Sequence, residues 1–180
     1  MKKIIIPSLL AAIVVFIWMF ISWALLPWHN MDMKTINDQA LIEQMKSSLT
    51  EPGIYMYPGE SDDMDATLQK YKAGPLIHFM VYNPQGAEWD MAMPMLSSFF
   101  INFISAFIAA ALLMMTLAQN PGFFRRTIFV MMLGLFAGFV GPFIEWNWWK
   151  FPLGYTIVGV IDLCITWFLA GLVLAWKIKP

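Results

Sequence analysis

His29-Asn-Met31-Asp32-Met33 and Met91-Ala-Met93-Pro94-Met95 set soft side chains at alternate positions in two places far apart in the chain. An extended segment points alternate side chains the same way. Thioether sulfur and imidazole are suitable copper ligands, methionine above all for Cu(I). His29, Met31, Met33, Met91 and Met93 therefore form a metal constellation, with copper as its ion. The competing reading is packing. Methionine is an adaptable apolar filler, and the chain holds 15 of them in 180 residues. Pro94 suits the first turn of a helix, which takes Met95 out of the extended spacing. Apart from copper no cofactor is expected: His29 and His78 are the two histidines, and a shared haem would need both imidazoles to face one plane.

Asp162 is the second position with chemistry in it, because it sits inside the apolar run Tyr155–Trp176. An ionisable group at that depth is costly and turns toward a bundle interior or a cavity. An ion path needs a series of polar partners, and the sequence offers Thr166, Asn102, Ser105 and Thr156. That set fits a polar fastening between helices better than a transport route. Gly134, Gly138 and Gly141 place small residues on one face of a neighbouring run, which lets helices approach closely, within the chain or between subunits. Cys164 is the one cysteine, so no intrachain disulfide or cysteine metal site exists. Its apolar surroundings read as those of a small buried hydrophobe.

Support for catalysis is thin. The chain has no GxSxG, no glycine-rich phosphate loop and no HExxH. His29, Asp90 and Glu145 could act on a lipid if they converged, but separate charges near an interface are ordinary. The acidic run Asp62-Asp63-Met64-Asp65 lacks the pattern of a calcium loop and suits the start of a helix.

The elements that would position these residues follow from composition. Hydrophobic residues make up 59% of the chain and charged ones 13%, far from the soluble norm. A helix needs about 20 apolar residues to cross a bilayer, and four runs qualify: Ile4–Leu26, Leu96–Leu117, Thr127–Ile144 and Tyr155–Trp176. The first is too long for a cleaved signal and reads as an uncleaved anchor. Lys2, Lys3, Arg125, Arg126, Lys177 and Lys179 all fall on one side of such a path, and every acidic residue except Asp162 falls on the other. Basic flanks face the cytoplasm, so both termini are expected inside a bacterial-type inner membrane. A net charge of −1 with no basic stripe excludes a nucleic-acid partner.

The expected organisation is mainly α: an anchor helix in residues 1–27, a small extracytoplasmic α/β domain in 28–95, and three further spans in 96–180, near 96–117, 127–144 and 155–176. Within the outer segment a helix is expected over Ile36–Leu49 behind a capping box at Thr35, then a strand Ile54–Tyr57, a helix capped by Ser61 and a strand Leu76–Tyr82. That order permits a right-handed βαβ crossover. Two strands are marginal alone, so the domain is expected to rely on the spans or on a partner subunit. The function expected from this is a non-enzymatic assembly, scaffold or accessory subunit, self-associating or part of a larger membrane complex. Periplasm-facing copper handling is the alternative.

Overall fold

The computed structural model describes residues 2–59, 62–119 and 121–180. It divides into two compact units, one formed by the chain up to Met33 together with Asp90–Pro180, the other by Lys34–Trp89.

Four helices of the first unit are long and apolar enough to cross a membrane. Helix α1 (Lys2–Phe20) continues through a π-helical turn, Ile21–Leu25, and the chain then folds into a 3₁₀ turn, Pro27–Asn30. After the second unit come α4 (Ala92–Met115), α5 (Phe123–Val140), the short α6 (Pro142–Trp149) and α7 (Leu153–Lys177). The third span is therefore longer than Thr127–Ile144, and the stretch between it and the fourth is largely helical, through α6. It breaks at Gly141 because Pro142 has no N–H to give the preceding turn and its ring obstructs that turn, while the same proline suits the first position of α6.

Helix α1 packs between α4 and α7, and α7 packs on α5; α4 and α5 touch only slightly. The core that joins them is small-residue rich: Ala11 and Val15 of α1, Ala106, Ala109, Ala110 and Leu113 of α4, Val130 of α5, Ala170 and Leu174 of α7. Small side chains suit this place, since lipid tails are as apolar as leucine and helices gain by close van der Waals approach instead. Phe100, Ile101, Ile104 and Ile108 of α4 point outward.

The α5–α7 contact is the closest. A Cβ on Gly134 would lie 2.6 Å from the Leu163 carbonyl oxygen and 2.7 Å from the Trp167 ring, and one on Gly138 would lie 3.0 Å from Val160. On Gly171 it would lie 2.7 Å from the Thr127 carbonyl oxygen. The pairing 127/171, 134/163 and 138/160 makes the helices antiparallel. Gly134 and Gly138 thus serve packing within the chain. Gly141 does not: the atom nearest its missing Cβ is the Ala137 carbonyl oxygen of its own helix, and its place is the break before α6.

The second unit contains α2 (Gln39–Ser48), β1 (Gly53–Tyr57), α3 (Met64–Ala73) and β2 (Ile77–Tyr82). Helix α2 starts later than expected because Asp38, not Thr35, supplies the cap: its Oδ1 accepts from the Ala40 and Leu41 N–H groups at 3.0 and 3.2 Å. Asp63 caps α3 through the Ala66 N–H at 2.9 Å, and the expected cap Ser61 lies outside the described residues. Gly74 ends α3 at a φ of 61°, where a side chain would be strained.

The two strands are antiparallel, Gly53 opposite Tyr82 and Tyr57 opposite Ile77, which overturns the βαβ crossover. A parallel pair requires the intervening helix to carry the chain back to the start of the first strand. Here residues 58–76 leave and return at the same end, and an antiparallel pair tolerates one open face. One face carries Tyr55 and Tyr82 in edge contact and His78 against Tyr71 of α3. On the other, the opposed pair Ile54 and Val81 is 60% and 75% exposed. No described residue of this unit is buried, so the two-stranded sheet has no core of its own.

Candidate functional site

Two buried polar side chains of the first unit, Ser22 and His29, converge on a third, Asp162, the tenth residue of α7 and about 13 Å along it at the helical rise. Trp18 reaches it from α1: the indole Nε1–H donates to Asp162 Oδ1 at 2.7 Å. Ser22 lies one turn further on, inside the π-helical turn, and its hydroxyl donates to the same Oδ1 at 2.9 Å. The wider turn is closed by the Leu26 N–H donating to the Ile21 carbonyl at 3.1 Å. π-Turns of this kind re-aim single side chains. Here the turn accompanies the inward aim of Ser22.

His29 completes the cluster. The 3₁₀ turn folds the chain back after α1, so that His29 is 3% exposed. Its ring stacks on Trp23 with centroids 3.8 Å apart and planes 7° apart, and meets Trp28 edge-on. Nε2 lies 2.9 Å from Ser22 Oγ and 3.5 Å from Asp162 Oδ2. Ser22 has a single hydroxyl proton and gives it to Asp162. The ring nitrogen facing Ser22 therefore carries the hydrogen and donates, and Ser22 Oγ also accepts from Trp28 Nε1–H at 3.2 Å. Every proton in this set has an acceptor. The result is a closed network that joins α1, the 3₁₀ turn and α7.

Burial holds the His29 imidazole below its ordinary value of 6.5, against the upward pull of the Asp162 carboxyl group and its hydrogen bond. A histidine kept neutral in the fold contributes stability above the unfolded value, and that contribution is lost as the pH falls through it, because the unfolded chain then binds the proton more readily. The titratable group facing His29 is Asp162; Ser22, Trp23 and Trp28 are neutral. Thermal unfolding in detergent is expected to occur at lower temperature at about pH 5.5 than at about pH 7.5, with His29→Gln flattening the difference. An unchanged slope in that variant would remove His29 as its source.

The arrangement departs from the sequence reading in its partners. Asn102 instead donates from Nδ2 to Met19 Sδ at 2.9 Å, tying α4 to α1. Thr156 donates to the Pro152 carbonyl at 3.1 Å within its own helix. Trp18 and Ser22 are partners not singled out from the sequence; their i, i+4 spacing is a signal that could have placed them on one helical face, whereas nothing in the sequence marks the fold-back of His29.

The soft-ligand residues lie in different surroundings. His29 is turned toward Ser22 and Asp162. Met31 and Met93 are exposed. Met33 lines a hollow with Asp32, Phe151, Pro152 and Tyr155, whereas Met91 lines a separate groove with Met19, Trp23 and Met95. Asp32 abuts Gly154 in the first turn of α7, where any side chain would collide with its carboxylate. This pins the segment against α7. Among the described residues no group of three or more histidine, cysteine, aspartate or glutamate side chains could hold a metal ion, and Cys164 is half-buried within α7.

No protein-family model matches the chain, and no curated protein or solved structure is significantly similar to it.

Proposed function

We propose that the chain is a non-enzymatic inner-membrane subunit that presents the Lys34–Trp89 unit on the extracytoplasmic side and assembles through it with further copies of itself. The observation that carries this reading is the coreless sheet. Lys34–Trp89 has no buried described residue, and Ile54 and Val81 form an open apolar pair on the face away from α3. A two-stranded sheet also leaves both its edges unpaired, and an edge or face that meets its own copy gives a self-complementary contact that closes.

The first unit supports a structural role. Trp18, Ser22, His29 and Asp162 satisfy one another within the chain, which is the behaviour of an interhelical fastening. Lys3, Arg125, Lys177 and Lys179 lie at the ends of α1, α5 and α7 on one side, which supports an inside location for that side by the excess of cytoplasmic lysine and arginine.

The double variant Ile54→Lys/Val81→Lys tests the contact. Both side chains are exposed, so folding should survive. Light scattering of the detergent-purified chain is expected to show the multimer shifted to monomer, with at least about tenfold weaker association, since like charges across a contact cost several kcal/mol. A multimer of unchanged strength would place the interface elsewhere.

A further inference from the structure

Three lysines meet in one cavity at the end of the helical unit opposite to His29. Lys3 at the start of α1 and Lys177 and Lys179 at and beyond the end of α7 line a space of about 530 Å³. Its remaining walls are apolar: Ile6 and Pro7 of α1, Met114 at the end of α4 and Leu117 just beyond it, and Ile178 and Pro180. No acidic side chain occurs among the described lining residues. Lys177 Nζ lies 3.8 Å from the Trp176 ring centroid, a cation–π contact that holds the ammonium where tryptophan prefers to sit, at the membrane interface.

We infer that this cavity binds the phosphate headgroup of an anionic phospholipid. A phosphate meets Lys3, Lys177 and Lys179, while Ile6, Met114 and Leu117 continue the cavity along the helices where an acyl chain runs. Basic pockets between spanning helices recognise anionic headgroups in this way. The apolar walls favour a lipid over a free anion, which would leave them uncovered. Helix α7 ends at this site, and its last carbonyls would repel an anion. Arg126 offsets one of them by donating from Nη2 to the Ala175 carbonyl at 3.2 Å.

The test is native mass spectrometry of the full chain in mild detergent with phosphatidylglycerol, phosphatidylcholine or inorganic phosphate added. Phosphatidylglycerol is expected to stay bound, phosphatidylcholine to leave, and excess phosphate not to displace the anionic lipid. Lys3→Gln/Lys177→Gln/Lys179→Gln should weaken phosphatidylglycerol retention about fivefold per lysine and on the order of a hundredfold in all. Lys46→Gln/Lys70→Gln/Lys72→Gln, with the same change in net charge, should leave retention unaltered. Lys179→Glu alone lies beyond α7, cannot disturb the helix and should lower retention by itself. Equal retention of the two lipids, equal loss in the charge-matched triple variant, or displacement by phosphate would each overturn the assignment, the last in favour of a free anion.

Discussion

Gly134→Val is expected to cost at least about 3 kcal/mol of stability and to leave little folded protein after detergent extraction. The position has no room. A bare Cβ already falls 2.6 Å from the Leu163 carbonyl oxygen and 2.8 Å from the Trp167 Cβ. One of these is backbone and the other is the root of a side chain, so neither can swing aside. The extra methyl groups would force α5 from α7 along a contact that also includes Gly138 against Val160 and Gly171 against Thr127. Gly171→Val should behave alike, because the obstruction there is the Thr127 backbone. Gly122→Ala, with nothing within 4 Å of its added Cβ, should fold as the parent does. Fluorescence-detected size exclusion after heating reads all three. A stable Gly134→Val would mean that α5 and α7 are not held at this distance.

Asp162→Ala is expected to destabilise by about 1–3 kcal/mol, since interhelical hydrogen bonds within membranes contribute ~0.6 kcal/mol on average and ~1.7 kcal/mol at most. Removing the carboxyl group takes the acceptor from the Trp18 indole and from the Ser22 hydroxyl together. It also leaves the Ser22 hydroxyl proton without its acceptor, so the whole network must reorganise. Asp162→Asn keeps a carbonyl oxygen that can accept from both donors and should cost less than half as much. The ordering of the two variants in a thermal melt separates a fastening from a charge requirement. Equal losses would mean that the negative charge itself is needed.

The spans were legible because apolar runs of membrane length leave few alternatives, and the structure places helices over all four. Gly134 and Gly138 were legible as a packing face, and the approach of Leu163, Trp167 and Val160 assigns them to contact within the chain. Asp162 was legible as a costly buried group, but its partners were not. They depend on a π-helical turn that carries Ser22 inward and on a 3₁₀ turn that reverses the chain after Leu26. Neither has a hydrophobic period that marks it, since both interrupt the 3.6-residue repeat. Helix and strand types in Lys34–Trp89 followed from caps and β-branched runs, with ends displaced by a few residues because Asp38 outcompetes Thr35 as the cap. Strand direction was not encoded in that pattern. It depends on how residues 58–76 return, which side-chain alternation does not record.

His29 carries contacts that residue type alone does not reveal. Read beside Met31 and Met33 it resembles a ligand, yet its Nε2 is directed to Ser22 and Asp162 and its ring lies on Trp23. The same residue ties a helix junction.

The most direct test of the proposed function is the absolute mass of the complex formed by the full chain purified alone in mild detergent, determined by light scattering with the detergent contribution subtracted. The expected result is a closed multimer of the 20.6 kDa chain that Ile54→Lys/Val81→Lys reduces to monomer. A strictly monomeric parent at all concentrations, with Lys34–Trp89 still folded, would contradict it.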